Sequence, residues 1–247
     1  MRNSTVSKRR PLEVLCTACV LVFLVSACSP ERDGAVDRLL MTEADPLTRS
    51  EADNSLIREL QRDVDQYREE VESVLRAMGN LANAHRLLGM RFLDQRMYGP
   101  ALEQFVAAAD IQSENPTIFY YIGVAAGLHA QAATETRERE IRLEQAERAY
   151  RRALELRPRN APAAFGLAVL LAYELDRPEE ALDYINRAIE IQQRNDRAHA
   201  VRAYVLTVLG RIEDAIRAYD QVIEHATDTE TRNTARGLQQ ELRSQWP

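Results

Sequence analysis

The chain has 247 residues, 45% of them hydrophobic and 28% charged, with a formal net charge of −6. That balance is too apolar for a disordered polypeptide and ordinary for a folded body. Residues 1–27 hold four basic groups and one acid, so the remainder carries 28 basic and 37 acidic residues, a net of −9. Nucleic acid is thereby disfavoured as a partner, because phosphate binding needs a concentrated basic face.

Residues 1–10 are polar and end in Lys8-Arg9-Arg10, and Leu12 to Ala27 is an apolar stretch interrupted by Glu13 and Thr17. The stretch is short for a membrane span, which takes about 20 residues, and fits the apolar region of a signal peptide. It closes on Leu24-Val25-Ser26-Ala27-Cys28: an aliphatic residue, small residues, then cysteine. This run resembles the lipobox of bacterial lipoproteins. The resemblance implies cleavage before Cys28, a thioether to diacylglycerol on its sulfur and acylation of the new N-terminus, an anchor worth about 0.8 kcal/mol per buried methylene. Ser29, where a lipoprotein retained at the inner membrane would carry Asp, implies the outer membrane facing the periplasm if the cell has two membranes. A plain secretory signal followed by an unmodified cysteine is the alternative. Cys16, Cys19 and Cys28 are the only cysteines, so neither a disulfide nor a cysteine metal site is available from Ser29 onward. Residues 28–54 are polar, with Pro30, Gly34 and Pro46, and read as a flexible tether.

In residues 55–81 the apolar positions are Ile57, Leu60, Val64, Tyr67, Val71, Val74, Met78 and Leu81, a strict alternation of threes and fours. This a/d heptad predicts a helix with one narrow seam. The seam either packs antiparallel on the element that follows and covers its core, or pairs two copies of the chain in a coiled-coil dimer. Asp63 and Arg68 form the one obvious charge pair across such a dimer.

From residue 82 the chain is self-similar with a period of about 34 residues. In the first unit, 82–115, Leu88-Gly89 and Phe92 are followed by Ala101, Phe105 and Ala108. In the second, 116–160, Ile122-Gly123 is followed by Ala146, Tyr150, Ala153 and Pro158. The third, 161–195, has Ala168 in the place of Gly89 and Gly123, then Ala181, Ile185 and Ala188. The fourth, 196–228, has Arg202-Ala203 in the Leu-Gly place, then Gly210, Ala215 and Tyr219. These in-register units resemble the tetratricopeptide (TPR) family, whose repeat is a pair of antiparallel helices, A and B. The expected fold is all-α: a TPR-like α-solenoid of about four helix pairs over 82–228, with an N-terminal flanking helix and a C-terminal capping helix over 229–247. The second unit is 11 residues longer between its signature positions than the family pattern. That is about three helical turns, so its helices can lengthen in phase, or residues 129–141 can form a loop.

The resemblance also implies where a ligand would sit, since the family's groove is lined by helix A. The corresponding positions are Arg86 and Met90, Tyr120 and Tyr121, Phe165 and Tyr173, and Tyr204, with Val124, Leu128 and Val169 beside them. A sub-class of the family clamps an acidic C-terminus with Lys, Arg and Asn. Here the clamp positions read Arg86, Tyr120, Phe165, Ala200 and Met90, Val124, Val169, Tyr204, so the clamp is absent. An aromatic and aliphatic groove suits an extended peptide or an amphipathic helix. Catalytic readings find no support: His85, His129, His199 and His225 show no metal spacing, and there is no nucleophile elbow or phosphate loop. The expectation is a non-enzymatic, lipid-anchored envelope scaffold, without cofactor or metal, that binds a protein or peptide partner. A lipoprotein presenting a small hydrophobic ligand to a transporter, and a coiled-coil structural oligomer, are the alternatives.

Overall fold

The computed structural model describes the backbone of residues 46–245 and the side chains of residues 54–245. The stretch read as a signal peptide, Cys28 and the segment read as tether up to residue 45 lie outside the described residues. The chain divides into two units, residues 1–73 and 74–247. The described residues form helices and their connections, with no strand among them.

The first helix, α1 (Pro46–Asp94), begins inside the segment read as tether and runs through both the heptad stretch and helix A of the first repeat. There is no turn between Leu81 and Ala82 at which a flanking helix could reverse, and Val74, Met78 and Leu81 are exposed. The boundary expected at 81–82, between a flanking helix and the first repeat, is not a break in the helix. Residues 46–54 contain no glycine and only one proline, at the first helical position, where proline costs nothing. In the first unit of the chain, α1 carries side-chain pairs along its own surface: Arg68 lies 3.3 Å from Asp65 as an ion pair, and Gln66 donates a hydrogen bond to Glu70 at 3.0 Å.

The repeats follow as helix pairs. Helix α2 (Tyr98–Ile111) completes the first repeat, and α3 (Pro116–Ala132) with α4 (Thr136–Leu156) forms the second. The third is α5 (Ala161–Tyr173) with α6 (Pro178–Ile191), and the fourth is α7 (Asp196–Val208) with α8 (Ile212–His225). The long second unit is helical almost throughout: α3 and α4 are 17 and 21 residues, against 13 or 14 in the third and fourth repeats. Its extra residues extend both helices in phase, and only residues 133–135 link them.

The starts of three A helices share one chemistry. Asn115, Asn160 and Asn195 are N-caps whose side-chain oxygens accept from the amides of Thr117, Ala163 and Ala198 at 3.0, 3.2 and 3.1 Å. Each satisfies an amide that the first helical turn leaves without a partner, worth about 1 kcal/mol. The A-to-B turns use a left-handed residue, Arg96, Asp176 and Gly210, with φ of 59°, 50° and 71°. Small residues at the helix crossings, including Ala101, Ala108, Ala125, Ala163 and Ala181, are fully buried and let neighbouring helices approach closely. Larger side chains such as Phe105, Ile118, Leu167, Leu171 and Ile185 fill the space between.

After the fourth pair, α9 (Thr229–Gln245) lies against α8. It buries Ala235 and Leu242, and Gln239 donates to the Ile216 carbonyl at 2.9 Å and to Asp220 at 2.7 Å. Its outer face is polar, as the end of a stack of repeats requires.

Candidate functional site

An apolar cleft of about 230 Å³ lies between α3 and α5, the A helices of the second and third repeats. Tyr150, from helix B of the second repeat, forms its floor. The approach is set by two glycines. A Cβ at Gly123 or at Gly166 would meet the Tyr150 ring at 2.7 Å, so both helices close onto the ring only because neither position carries a side chain. Gly127, on the same wall, faces open space.

Val124 and Leu128 rise from α3, and Phe165, Val169 and Leu170 from α5. Tyr120 caps one edge, its ring 6.2 Å from that of Tyr150. Burial pushes the phenols of Tyr120 and Tyr150 above their ordinary range, so both stay protonated and neutral. The other end is polar and self-satisfied: Glu174 accepts from Gln131 at 3.0 Å and from Arg139 at 2.5 Å. The cleft thus presents neutral apolar and aromatic surface, with its one carboxylate already paired.

The residues expected to line the groove separate into four sets. Tyr120 and Phe165 line the cleft, with Val124, Leu128 and Val169. Tyr121 instead stacks on Phe105 of α2, centroids 5.2 Å apart and planes at 13°, and serves packing. Tyr173 and Tyr204 stack on each other at 4.4 Å and 15°, an aromatic pair 50% and 37% exposed on α5 and α7. Arg86 and Met90 lie on α1, joined by a contact from the guanidinium to the sulfur at 3.5 Å, and do not line the cleft. Helix-A positions alone could not reveal Tyr150, which belongs to helix B, or Glu174, which follows the end of α5. The paired glycines at 123 and 166 were the available signal for the floor.

Outside the cleft, one group of charged side chains ties two helices together. Arg177 and Arg151 share Glu147 and Glu180 at 2.6–3.1 Å, and Arg151 also donates to the Tyr184 hydroxyl at 2.8 Å, linking α4 to α6. Two of the histidines are held by hydrogen bonds within the fold: His85 Nδ1 lies 2.8 Å from Gln104 Oε1, and His199 Nε2 lies 2.7 Å from the Gln193 carbonyl. Among the described residues no cluster of His, Cys, Asp and Glu is placed to hold a metal ion.

Comparison with known proteins agrees with this arrangement of helices. The tetratricopeptide repeat family model matches residues 142–196 and, overlapping them, 170–230. The chain carries tetratricopeptide repeats. A TPR repeat-containing protein of Borreliella burgdorferi is 24% identical over 159 residues, which cover 64% of this chain and 69% of the relative. Among solved structures, TTC0263, a thermophilic TPR protein of Thermus thermophilus, aligns with a TM-score of 0.56 at 20% identity, covering 63% of this chain and 80% of that one. YrrB, described as a TPR protein with an unusual peptide-binding site, aligns at 0.52 and 22% identity, covering 74% and 86%. MamA of Desulfovibrio magneticus RS-1 aligns at 0.53 and 17%, covering 68% and 98%. At these identities the TPR structures share the fold with this chain, in which four TPR helix pairs are stacked.

Proposed function

We propose that this TPR protein is a lipid-anchored scaffold of a bacterial cell envelope, and that it holds a protein or peptide partner in the cleft between α3 and α5. The observation that carries the binding role is the cleft itself: apolar walls, an aromatic floor and edge, and no free charge. Its small volume and open mouth suit one or two side chains of an extended peptide or amphipathic helix better than an enclosed small molecule, whose pockets begin at roughly 300 Å³. A peptide site on this fold is in keeping with the one named for YrrB. The exposed Tyr173–Tyr204 stack extends the same kind of surface onto α7. The role is binding rather than catalysis, because the repeats offer neutral aromatic surface and ion pairs satisfied internally.

The anchor rests on the run Leu24-Val25-Ser26-Ala27-Cys28 after a basic and apolar leader, and Ser29 favours the outer membrane. Palmitate labelling of the full chain in its own cell tests it. Label is expected on the wild type and absent from Cys28→Ser, and label that persists in the variant would overturn the anchor. Crosslinking from the native envelope tests the cleft: Tyr120→Ala is expected to lose the partner by about tenfold or more, and unchanged capture contradicts the assignment.

A second reading is favoured by one observation. Ile57, Val64, Val71, Val74, Met78 and Leu81 of the heptad seam are all between 45% and 58% exposed, far more apolar surface on one helix face than a monomer needs. We infer that this seam self-associates, which adds a homodimer to the scaffold role and does not replace it.

A further inference from the structure

The fourth repeat departs from the others at one packing position. Leu88, Ile122 and Leu167 occupy it in the first three, and Ile122 and Leu167 are buried. In the fourth, the residue is Arg202. Its Nε is buried without a hydrogen-bond partner, and the guanidinium forms no ion pair among the described residues. Burial lowers its pKa below the usual guanidinium range. A half-buried cation without a partner destabilises a fold, and a leucine would pack there at no such cost.

The guanidinium lines a cavity of about 340 Å³ between α6, α7 and α8, away from the α3–α5 cleft. Arg211 and Arg217 line it too, and both donate to Asp214, Arg211 at 2.6 and 2.9 Å. Asn186 and Gln221 add hydrogen-bonding groups, and Leu206 an apolar wall. Three arginines line the cavity with a single carboxylate, Asp214, whose oxygens Arg211 and Arg217 already occupy, which leaves a local excess of two positive charges in a chain that is acidic as a whole.

We propose that this cavity is a binding site for a small doubly charged oxyanion, a phosphate monoester or a dicarboxylate, held by the guanidinium of Arg202. The planar fork of arginine matches two oxygens of such a group, and the charge excess matches a dianion. The ligand supplies the partner that Arg202 lacks. This site does not depend on the peptide reading of the cleft.

Thermal unfolding of the full chain, with inorganic phosphate or succinate in place of chloride at equal ionic strength, tests the proposal. Phosphate at tens of millimolar is expected to raise the wild-type midpoint by roughly 2–4 °C beyond the rise it gives in Arg202→Leu. The variant restores the residue type of the other repeats, so it should start from a higher midpoint and show only the general stabilisation by an excluded salt. Arg217→Gln, on the exposed rim, should weaken the response without touching the core. A response to both anions supports the dianionic class, and a response to phosphate alone narrows it to phosphate esters. Equal responses in wild type and in both variants, or none to either anion, would overturn the site.

Discussion

At the residue scale, His199 shows how a packing position becomes a pH-sensitive one. It stands on α7 where the family places an aromatic, is 3% exposed, and has a ring 5.5 Å from that of His225. Nε2–H donates to the Gln193 carbonyl, which leaves Nδ1 buried without a partner. Desolvation holds the imidazole pKa below 6.5, and the hydrogen bond to Gln193 only partly offsets it. Arg202 and His225 press in the same direction, and Asp196 opposes them. A histidine whose folded pKa is depressed binds fewer protons folded than unfolded, so its contribution is intact above about pH 6.5 and declines as pH falls below that. Thermal midpoints at pH 7.5 and pH 5 should therefore differ more in the wild type than in His199→Phe. An equal drop in both would show that His199 does not govern the decline.

At the element scale, the outcome differs between α4 and α1. The 11 extra residues of the second unit are compatible by length with a loop or with longer helices. Eleven residues are about three helical turns, a length that lets the helices grow in phase, and α4 is one helix from Thr136 to Leu156. The end of the heptad helix was not legible, because nothing between Leu81 and Ala82 marks a stop and the repeat period only suggests one. Continuity of α1 leaves the seam open to another copy of the chain. Ile57, Val64 and Val71 at the a positions and Leu60 at a d position suit a parallel two-stranded coil. In a parallel pair Asp63 meets Arg68 of the partner helix. An antiparallel pair in full register would set Glu70 against Glu70 and Arg68 against Arg68, which disfavours it. Asp63→Arg should therefore weaken self-association of the full chain by about tenfold, since two attractions of a few tenths of a kcal/mol each become repulsions. Adding Arg68→Asp should restore it. A sedimenting monomer at micromolar concentration, or a double variant no better than the single one, would refute the parallel seam.

At the scale of the whole molecule, the repeat architecture was legible because TPR units place small residues at crossings and large ones between, and this pattern survives as a period. Part of the candidate site was legible for the same reason: Tyr120, Phe165, Val124, Leu128 and Val169 lie at groove positions and line the cleft. Tyr121 shows the limit, since adjacent helix positions face different neighbours and only the placement of Phe105 directs its ring into packing. Tyr150 was hidden because it belongs to helix B and reaches the cleft through the gaps left by Gly123 and Gly166. The run ending at Cys28 and the cleft are the two features on which the proposed lipid-anchored scaffold rests.

The central claim, that a partner occupies the α3–α5 cleft, is tested most directly by filling it. Gly127 faces open space in the cleft wall, and Gly237 faces open space on α9, away from the cleft. Leucine favours helix over glycine at both, so neither change should unfold the protein. Crosslinked capture from the native envelope is the measurement. The account predicts loss of the partner from Gly127→Leu and full retention by Gly237→Leu. Equal capture by both would contradict it.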